Sequence, residues 1–466
     1  MTFGTLLARS PDLRSLWKGE LSAVLLLLLL PPCPLLADGA ASGERLVVVT
    51  SFPEQMSMVF KSAFEQDNPG TSVEIISKKT TAGLKYLEQA RGHDSADLFW
   101  VSAPDAFEVL KRKGMLRRYR PLAKGIPRRL SGYPVNDPDG YYCGFAAAGY
   151  GIMWNNDYLQ HHGLAKPREW IDLTRPEYRG HIGLSAPSRS GTTHLTIEAI
   201  LQLRGWNRGW ALIKAIAANA KSITAKSSGV PKGVAGGEFG IGVVIDFYGL
   251  MTKAAGAPVE FVYPSETVLV PASVAILKQA PHPELAGRFI EFLLSPKGQR
   301  LLLAPRIRRL PIRPASYLEN ELPPGFPHPY GPDELGAHIA FDVLRSRQRY
   351  NVVNSLFDVM ITYRLKELQG AMAAIQRAET LLLTSDTPQP ELAGAAARAR
   401  DLVNRVPVDE LTAGDPHFAA KFTRKRKKAT DIVGGEQGKI EKEWDAFTTH
   451  NYLDATRIVE AALPAD

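Results

Sequence analysis

Two cysteines among 466 residues are too few for a disulfide framework. Cys33 lies in an N-terminal leader-like segment, and its neighbours Pro32 and Pro34 do not resemble a lipoprotein box. With that segment removed, Cys143 is the single remaining thiol and no internal disulfide can form. Beside Tyr141, Tyr142 and Gly144 it reads as a small buried residue rather than a nucleophile. No second long apolar run follows the leader, so the mature chain is expected to be exported, soluble and periplasmic. Strong charge imbalance is missing too. A net charge of +8 over this length does not call for nucleic acid, but it suits an anionic ligand. Catalytic signatures are equally sparse. There is no Gly-x-Ser-x-Gly elbow, no carboxylate pair in a glycosidase-like context, and no His/Asp/Glu cluster at metal-ligand spacing. Ser190 with His194 invites a hydrolase reading, but His194 would sit in the first turn of the helix that follows the serine, a poor position for a base. An enzyme is therefore not expected, nor a cofactor, and an exported hydrolase stays the least favoured alternative.

What the chain does have begins with Arg9, Arg14 and Lys18, then the run Val24–Leu30, then Pro31-Pro32 and Leu35-Leu36-Ala37-Asp38-Gly39-Ala40. A basic region, a short apolar core and small residues make a signal peptide over 1–37, cut after Ala37 or Ala40. A retained N-terminal anchor is the alternative. The remaining length is enough for two or three domains, and 45% hydrophobic with 22% charged residues is ordinary for a globular chain.

The run 45–50 predicts a buried strand, 56–66 a helix, 73–77 a strand, 84–91 a helix, 96–101 a strand and 106–113 a helix. Strand–helix repeated three times predicts a parallel α/β layer, whose ligands bind beyond the carboxyl ends of the strands. Those ends carry Ser51 and Phe52, Thr80 and Thr81, and Ser102. The Gly-punctuated apolar stretch 143–154 predicts a long strand running from one lobe to another, and 267–277 the strand that returns.

The stretch Ser185-Ala-Pro-Ser-Arg-Ser-Gly-Thr-Thr-His194 follows a short apolar strand and precedes a strong helical pattern. A Ser/Gly/Thr turn feeding a helix offers N–H groups, hydroxyls and the positive end of the helix dipole to one point. Ser188, Ser190, Gly191, Thr192 and Thr193 are its donors, with an ordinary helix start as the competing reading. Ser227 and Ser228 lie in a second such loop. Asp246, Phe247 and Tyr248 follow the apolar strand 241–245.

Here the chain resembles a known family. Lys226-Ser-Ser-Gly, Val243-Val-Ile-Asp246, Pro271-Ala-Ser-Val-Ala-Ile and Phe289-Ile-Glu-Phe-Leu-Leu-Ser-Pro-Lys-Gly-Gln299 are similar to segments of type 2 periplasmic solute-binding proteins. The branch is the one that feeds ABC importers of iron(III), thiamine, phosphonates and phosphate esters. Arg306-Ile-Arg-Arg-Leu-Pro-Ile312 is similar to the subgroup that includes phosphoglycerate-transport binding components. The resemblance covers about 44–330. It implies an α/β fold of two lobes with hinge-crossing strands, here 44–146 with 270–330 and 147–265, and leaves 331–466 as a helical C-terminal extension.

The family implies a cleft ligand gripped from both lobes and handed to an ABC permease in the inner membrane. Ser51, Phe52, Thr80, Thr81 and Ser102 would face it from one lobe. Ser188, Ser190, Gly191, Thr192, Thr193, Ser227, Ser228, Asp246 and Tyr248 would face it from the other. Ferric members carry a tyrosine pair where this chain has Phe247-Tyr248, so iron(III) ranks second. An anion held by neutral donors and a cation ranks first, a phosphorylated or phosphonate solute with Lys79, Arg189 or Lys226 as the cation. A thiamine-type ligand stacked on Phe52, Trp100 or Tyr248 ranks third. Asp246 either accepts from a ligand hydroxyl or amine, or serves as a cap or salt-bridge partner. The extension carries a basic run from Lys421 to Lys428 and is expected to pack on a lobe, or to dock on the transporter or a sensor partner.

Overall fold

The computed structural model describes residues 43–90, 95–130, 132–319, 321–331, 335, 341–424, 430–431 and 433–464. The expected signal peptide and residues 425–428 of the basic run lie outside them.

Twelve strands are defined among the described residues: β1 (Glu44–Thr50), β2 (Thr71–Ser77), β3 (Leu98–Val101), β4 (Arg129–Leu130), β5 (Tyr133–Pro134), β6 (Cys143–Asn155), β7 (Ile182–Ser185), β8 (Ala220–Thr224), β9 (Ile241–Ile245), β10 (Val259–Val262), β11 (Leu269–Ile276) and β12 (Leu310–Pro311). All but the small β4–β5 ribbon join one sheet, whose main path runs β2-β1-β3-β11-β6-β9-β7-β8. The first part is parallel, with Glu44 opposite Thr71 through to Thr50 opposite Ser77, and Val48–Thr50 opposite Leu98–Trp100. The far part, β9-β7-β8, is parallel as well. The strands are β-branched and apolar because helices cover both faces.

Strand β6 belongs to both parts. Its residues Cys143–Gly149 pair with β11, and Tyr150–Trp154 pair with β9. The change of partner needs close backbone approach. A Cβ at Gly149 would stand 2.7 Å from Leu269 and from Tyr263, and one at Gly151 would stand 2.1 Å from the Val262 carbonyl. The long strand expected at 143–154 and the returning strand expected at 267–277 are thus both present as crossing strands of a two-lobed α/β fold.

Each part has its own core. Trp100 anchors the first, with Phe52, Phe60, Phe145 and Phe289 edge-on or tilted around its ring at 5.0–5.7 Å. Trp100 is fully buried there and is not available to stack on a ligand. The second core extends without a break into the C-terminal helices, joining Leu195 and Ile213 to Val353, Ile375, Val403 and Tyr452. These helices are Val343–Phe357, Leu365–Thr384, Pro390–Asn404 and Gly435–Glu460. The helix Val343–Phe357 runs directly into a π-helical turn at Asp358–Thr362. The segment 170–180 forms two 3-10 turns, Trp170–Thr174 and Pro176–Tyr178.

Candidate ligand-binding cleft

The carboxyl ends of β1, β2 and β3 point at the ends of β7, β8 and β9, and a cleft of about 830 Å³ lies between them. Five helices of eight or more residues begin at or beside its lining: Glu54–Asp67, Thr80–Gln89, Pro104–Arg112, Gly191–Arg204 and Asp246–Ala254. Each contributes first-turn N–H groups that no intrahelical carbonyl can accept, and the positive end of its dipole.

Eleven of the expected residues line this space together: Ser51, Phe52, Thr80, Thr81, Ser102, Ser190, Gly191, Thr192, Ser227, Ser228 and Tyr248. The first set is pinned by a Thr80–Ser51 hydroxyl contact of 3.2 Å. Across the cleft, Ser190 caps the helix Gly191–Arg204 by accepting from the Thr193 N–H at 3.2 Å. The two sides meet where a Cβ on Gly191 would lie 3.1 Å from that of Ala103. Burial raises the pKa of Tyr248, so it presents an O–H donor.

Three expected residues do not line the cleft. Ser188 turns toward the C-terminal helices and faces Asp358. Thr193 bonds to Ser185 at 2.5 Å and borders a separate apolar pocket behind the helix. Asp246 is a brace, and among the described residues it makes neither the cap nor the salt bridge that was the alternative to a ligand contact. It accepts from the N–H groups of Gly149 and Phe247, both at 2.6 Å, and from the Tyr263 hydroxyl at 3.0 Å. Burial raises its pKa to about 6, against these bonds and the nearby Arg309 charge. His194 is fully buried, with Nδ1 3.0 Å from Asn354 and Nε2 3.4 Å from Ser346. Both ring nitrogens thus face side chains of the helix Val343–Phe357.

Lys79, Arg189 and Lys226 also line the cleft, and the chain adds a fourth cation that sequence reasoning missed. Arg309 is 1% exposed. Its guanidinium lies 4.5 Å from the Phe52 ring and 3.9 Å from the Phe247 ring. Nη2 reaches Ser102 Oγ at a long 3.5 Å, and Nη1 is buried with no hydrogen-bond partner among the described residues. Burial lowers its pKa to about 10, partly offset by Asp246, so it stays charged at neutral pH. The preceding Arg308 sits at φ 46°, a left-handed conformation rare for a side-chain-bearing residue. That tight turn leads directly into Arg309 and β12. Arg309 lies inside the motif Arg306–Ile312. An Arg placed immediately before the apolar Leu310-Pro311-Ile312 was the available signal, because the chain enters the core there.

Among the described residues the lining thus has four basic side chains, no acidic side chain and no imidazole. Among the described residues, no group of three or more His, Cys, Asp or Glu could hold a metal ion. No described helix is long and apolar enough to cross a membrane.

A two-lobed α/β frame around a donor-rich cleft defines a solute-binding protein, and comparison with known proteins places it further. Residues 93–331 match the family described as bacterial extracellular solute-binding protein, and the chain belongs to that family. It is 31% identical over 390 residues to the phosphoglycerate transport regulatory protein PgtC of Salmonella typhimurium, covering 83% of this chain and 91% of that one. Among solved structures, the periplasmic binding protein AfuA of Actinobacillus pleuropneumoniae with fructose-6-phosphate bound has a TM-score of 0.60 at 24% identity. It covers 68% of this chain and 98% of its own. Iron-bound HitA of Pseudomonas aeruginosa has a TM-score of 0.55 at 18% identity, covering 67% and 98%. The PgtC match is longer than everything before residue 331, so it reaches into the C-terminal helices.

Proposed function

We propose that the protein is the periplasmic binding component of an ABC importer and captures a small phosphorylated anion of the phosphoglycerate class. Residues 44–146 with 270–330 act as one lobe, 147–265 as the other, and 331–466 as a helical extension. The observation that carries this reading is Arg309, a desolvated guanidinium with an unpartnered N–H at the floor of a cleft that lacks any acidic side chain. A buried charge is costly unless paired, and here the partner has to come with the solute. Ser102, Tyr248 and the helix beginning at Gly191 supply the neutral donors that a phosphate needs. The name of the relative PgtC and the sugar phosphate held by AfuA agree in ligand chemistry.

Iron(III) is disfavoured because the lining offers one phenol and no carboxylate. A thiamine-type cation is disfavoured by four positive side chains, and the Phe52 ring already carries Arg309. Delivery to a permease follows from the family, and the extension is the surface proposed for a sensor partner.

The test is calorimetric titration with 3-phosphoglycerate, fructose-6-phosphate, methylphosphonate, ferric citrate and thiamine. Saturable binding of a phosphorylated ligand, lost in Arg309→Met, is the expected result. Binding of ferric citrate or thiamine alone would overturn the reading, as would turnover of any of the phosphate esters.

A further inference from the structure

The helix Val343–Phe357 touches both sides of the cleft from behind. On one side is the helix Pro104–Arg112, which starts just after the cleft loop Ser102–Ala103. Ser346 Oγ donates to the Asp105 carboxylate at 3.4 Å, and Arg347 pairs with Glu108 at 2.8 Å. On the other side is the helix Gly191–Arg204, whose first turn lines the cleft. Asn354 and Ser346 bracket the His194 ring, Tyr350 packs on it at 4.0 Å between centroids, and Arg349 grips Glu198 at 2.7 Å. His194 and Asp105 themselves approach to 3.9 Å. A single C-terminal helix therefore bonds to both gripping elements within the same few turns.

The same helix is tied to the rest of the C-terminal layer. Arg349 also pairs with Glu410 at 2.6 Å, and Ser355 donates to Glu441 at 2.6 Å. Its end runs into the π-helical turn, where Asp358 faces Ser188 in the loop preceding the gripping helix. Single π turns inside helices are frequent at functional sites. Most of these groups are nine-tenths or more buried, so the polar contacts are difficult to exchange for water and specify one separation of the two sides.

We propose that helix Val343–Phe357 is a strut that sets the spacing of the two gripping loops and transmits their movement to the C-terminal helical layer. A hinge that closes on solute must shift Asp105 relative to His194, and the strut bonds to both. Occupancy of the cleft is then readable on the outer helices, which is where a partner would sense it. By linkage, whatever holds those helices in one position changes solute affinity by the same factor. The proposal rests on the solute reading for the identity of the ligand but not for the mechanical coupling.

The test uses the full chain in a Cys33→Ser background, with spin labels at Lys85→Cys and Lys232→Cys; the remaining native thiol, Cys143, is buried. Without ligand, the strut predicts one narrow inter-label distance, and a broadened or lengthened distribution in Arg347→Ala/Asn354→Ala. A distribution unchanged by those substitutions would overturn it. Should the double variant not fold, hydrogen exchange on the unsubstituted protein decides. Saturating 3-phosphoglycerate should slow exchange over 343–357 and 435–460 at least several-fold, and protection confined to the cleft loops would refute the strut. If calorimetry shows that 3-phosphoglycerate does not bind, the solute reading fails while the distance measurement still judges the coupling, with Arg347→Ala alone as the milder variant.

Discussion

Among the described residues two arginines are completely buried, and they differ in what surrounds them. Arg349, in the helix behind the cleft, is flanked by Glu198 and Glu410 and packs over Trp206 at 4.9 Å. Its pKa is raised, because the carboxylates outweigh its burial. Arg309, at the cleft floor, lies between two aromatic rings with an Nη1 that has no hydrogen-bond partner among the described residues, and its pKa is lowered by burial. A buried cation held by direct carboxylate partners is structural. One whose charge is only partly offset, here by the nearby Asp246, is poised for an anion, and the fold carries the rest of its desolvation cost until the anion arrives. Opposite substitution phenotypes follow from the same chemical change.

Arg349→Met should have the largest effect. It strands Glu198 without its cation in a fully buried position, which costs on the order of 3–5 kcal/mol of stability. Urea denaturation should show the loss, and Glu198→Gln/Arg349→Met should recover most of it. A single variant as stable as the parent would show that the pair is dispensable. Arg309→Met should do the reverse. Solute affinity should fall by ~100-fold or more, about 3 kcal/mol, while stability is unchanged or increased. Calorimetry and denaturation on one sample separate the two, and a destabilised variant that still binds would reverse the assignment.

The contrast also explains what was legible in the sequence. Hydroxyl loops at strand ends are local features, so Ser51, Thr80, Ser102, Ser190 and Ser227 could be placed at one cleft once the strand–helix order was read. The partners of Ser188, Thr193, Asp246 and His194 are not local. His194 meets Ser346 and Asn354 across more than 150 residues, a relation no window of sequence contains. Ser188 looked equivalent to Ser190, but it lies inside the 3-10 turn Pro187–Arg189, which rotates it onto the C-terminal helices. Arg309 stood inside a quoted motif, yet its role depends on rings contributed by residues 52 and 247. That 331–466 packs on a lobe was an open expectation from the sequence, but which side chains continue the core of the second lobe was not legible.

A third buried cation extends the comparison, since lysine can shed its proton where arginine cannot. Lys214 Nζ donates to the carbonyls of Val403 at 2.9 Å and Arg405 at 2.7 Å, and burial lowers its pKa to about 7. The charged form is the one the fold disfavours. That penalty is complete below about pH 7 and is relieved as pH rises toward the ordinary lysine value of 10.5. Stability of the parent relative to Lys214→Met should therefore increase with pH between about 7 and 10, by up to ~1.4 kcal/mol per unit. Melting temperatures of both proteins, taken at intervals from about pH 6 to about pH 10, check this. A difference independent of pH would mean that the lysine keeps its usual proton.

The smallest effect expected separates the fold from the grip at a residue that carries no charge. Gly191 opens the gripping helix, where alanine is favoured over glycine by up to ~1 kcal/mol in helix propensity. The added methyl would, however, meet Ala103 at 3.1 Å, on the opposite side of the cleft. Neither atom belongs to a long side chain that can swing away, so relief has to come from the two sides moving apart. Gly191→Ala should leave stability level or slightly raised while weakening 3-phosphoglycerate binding roughly threefold, about 0.7 kcal/mol. Unaltered affinity would mean that the two sides do not need this contact to hold the solute, and a loss of both stability and affinity would place the strain in the helix itself.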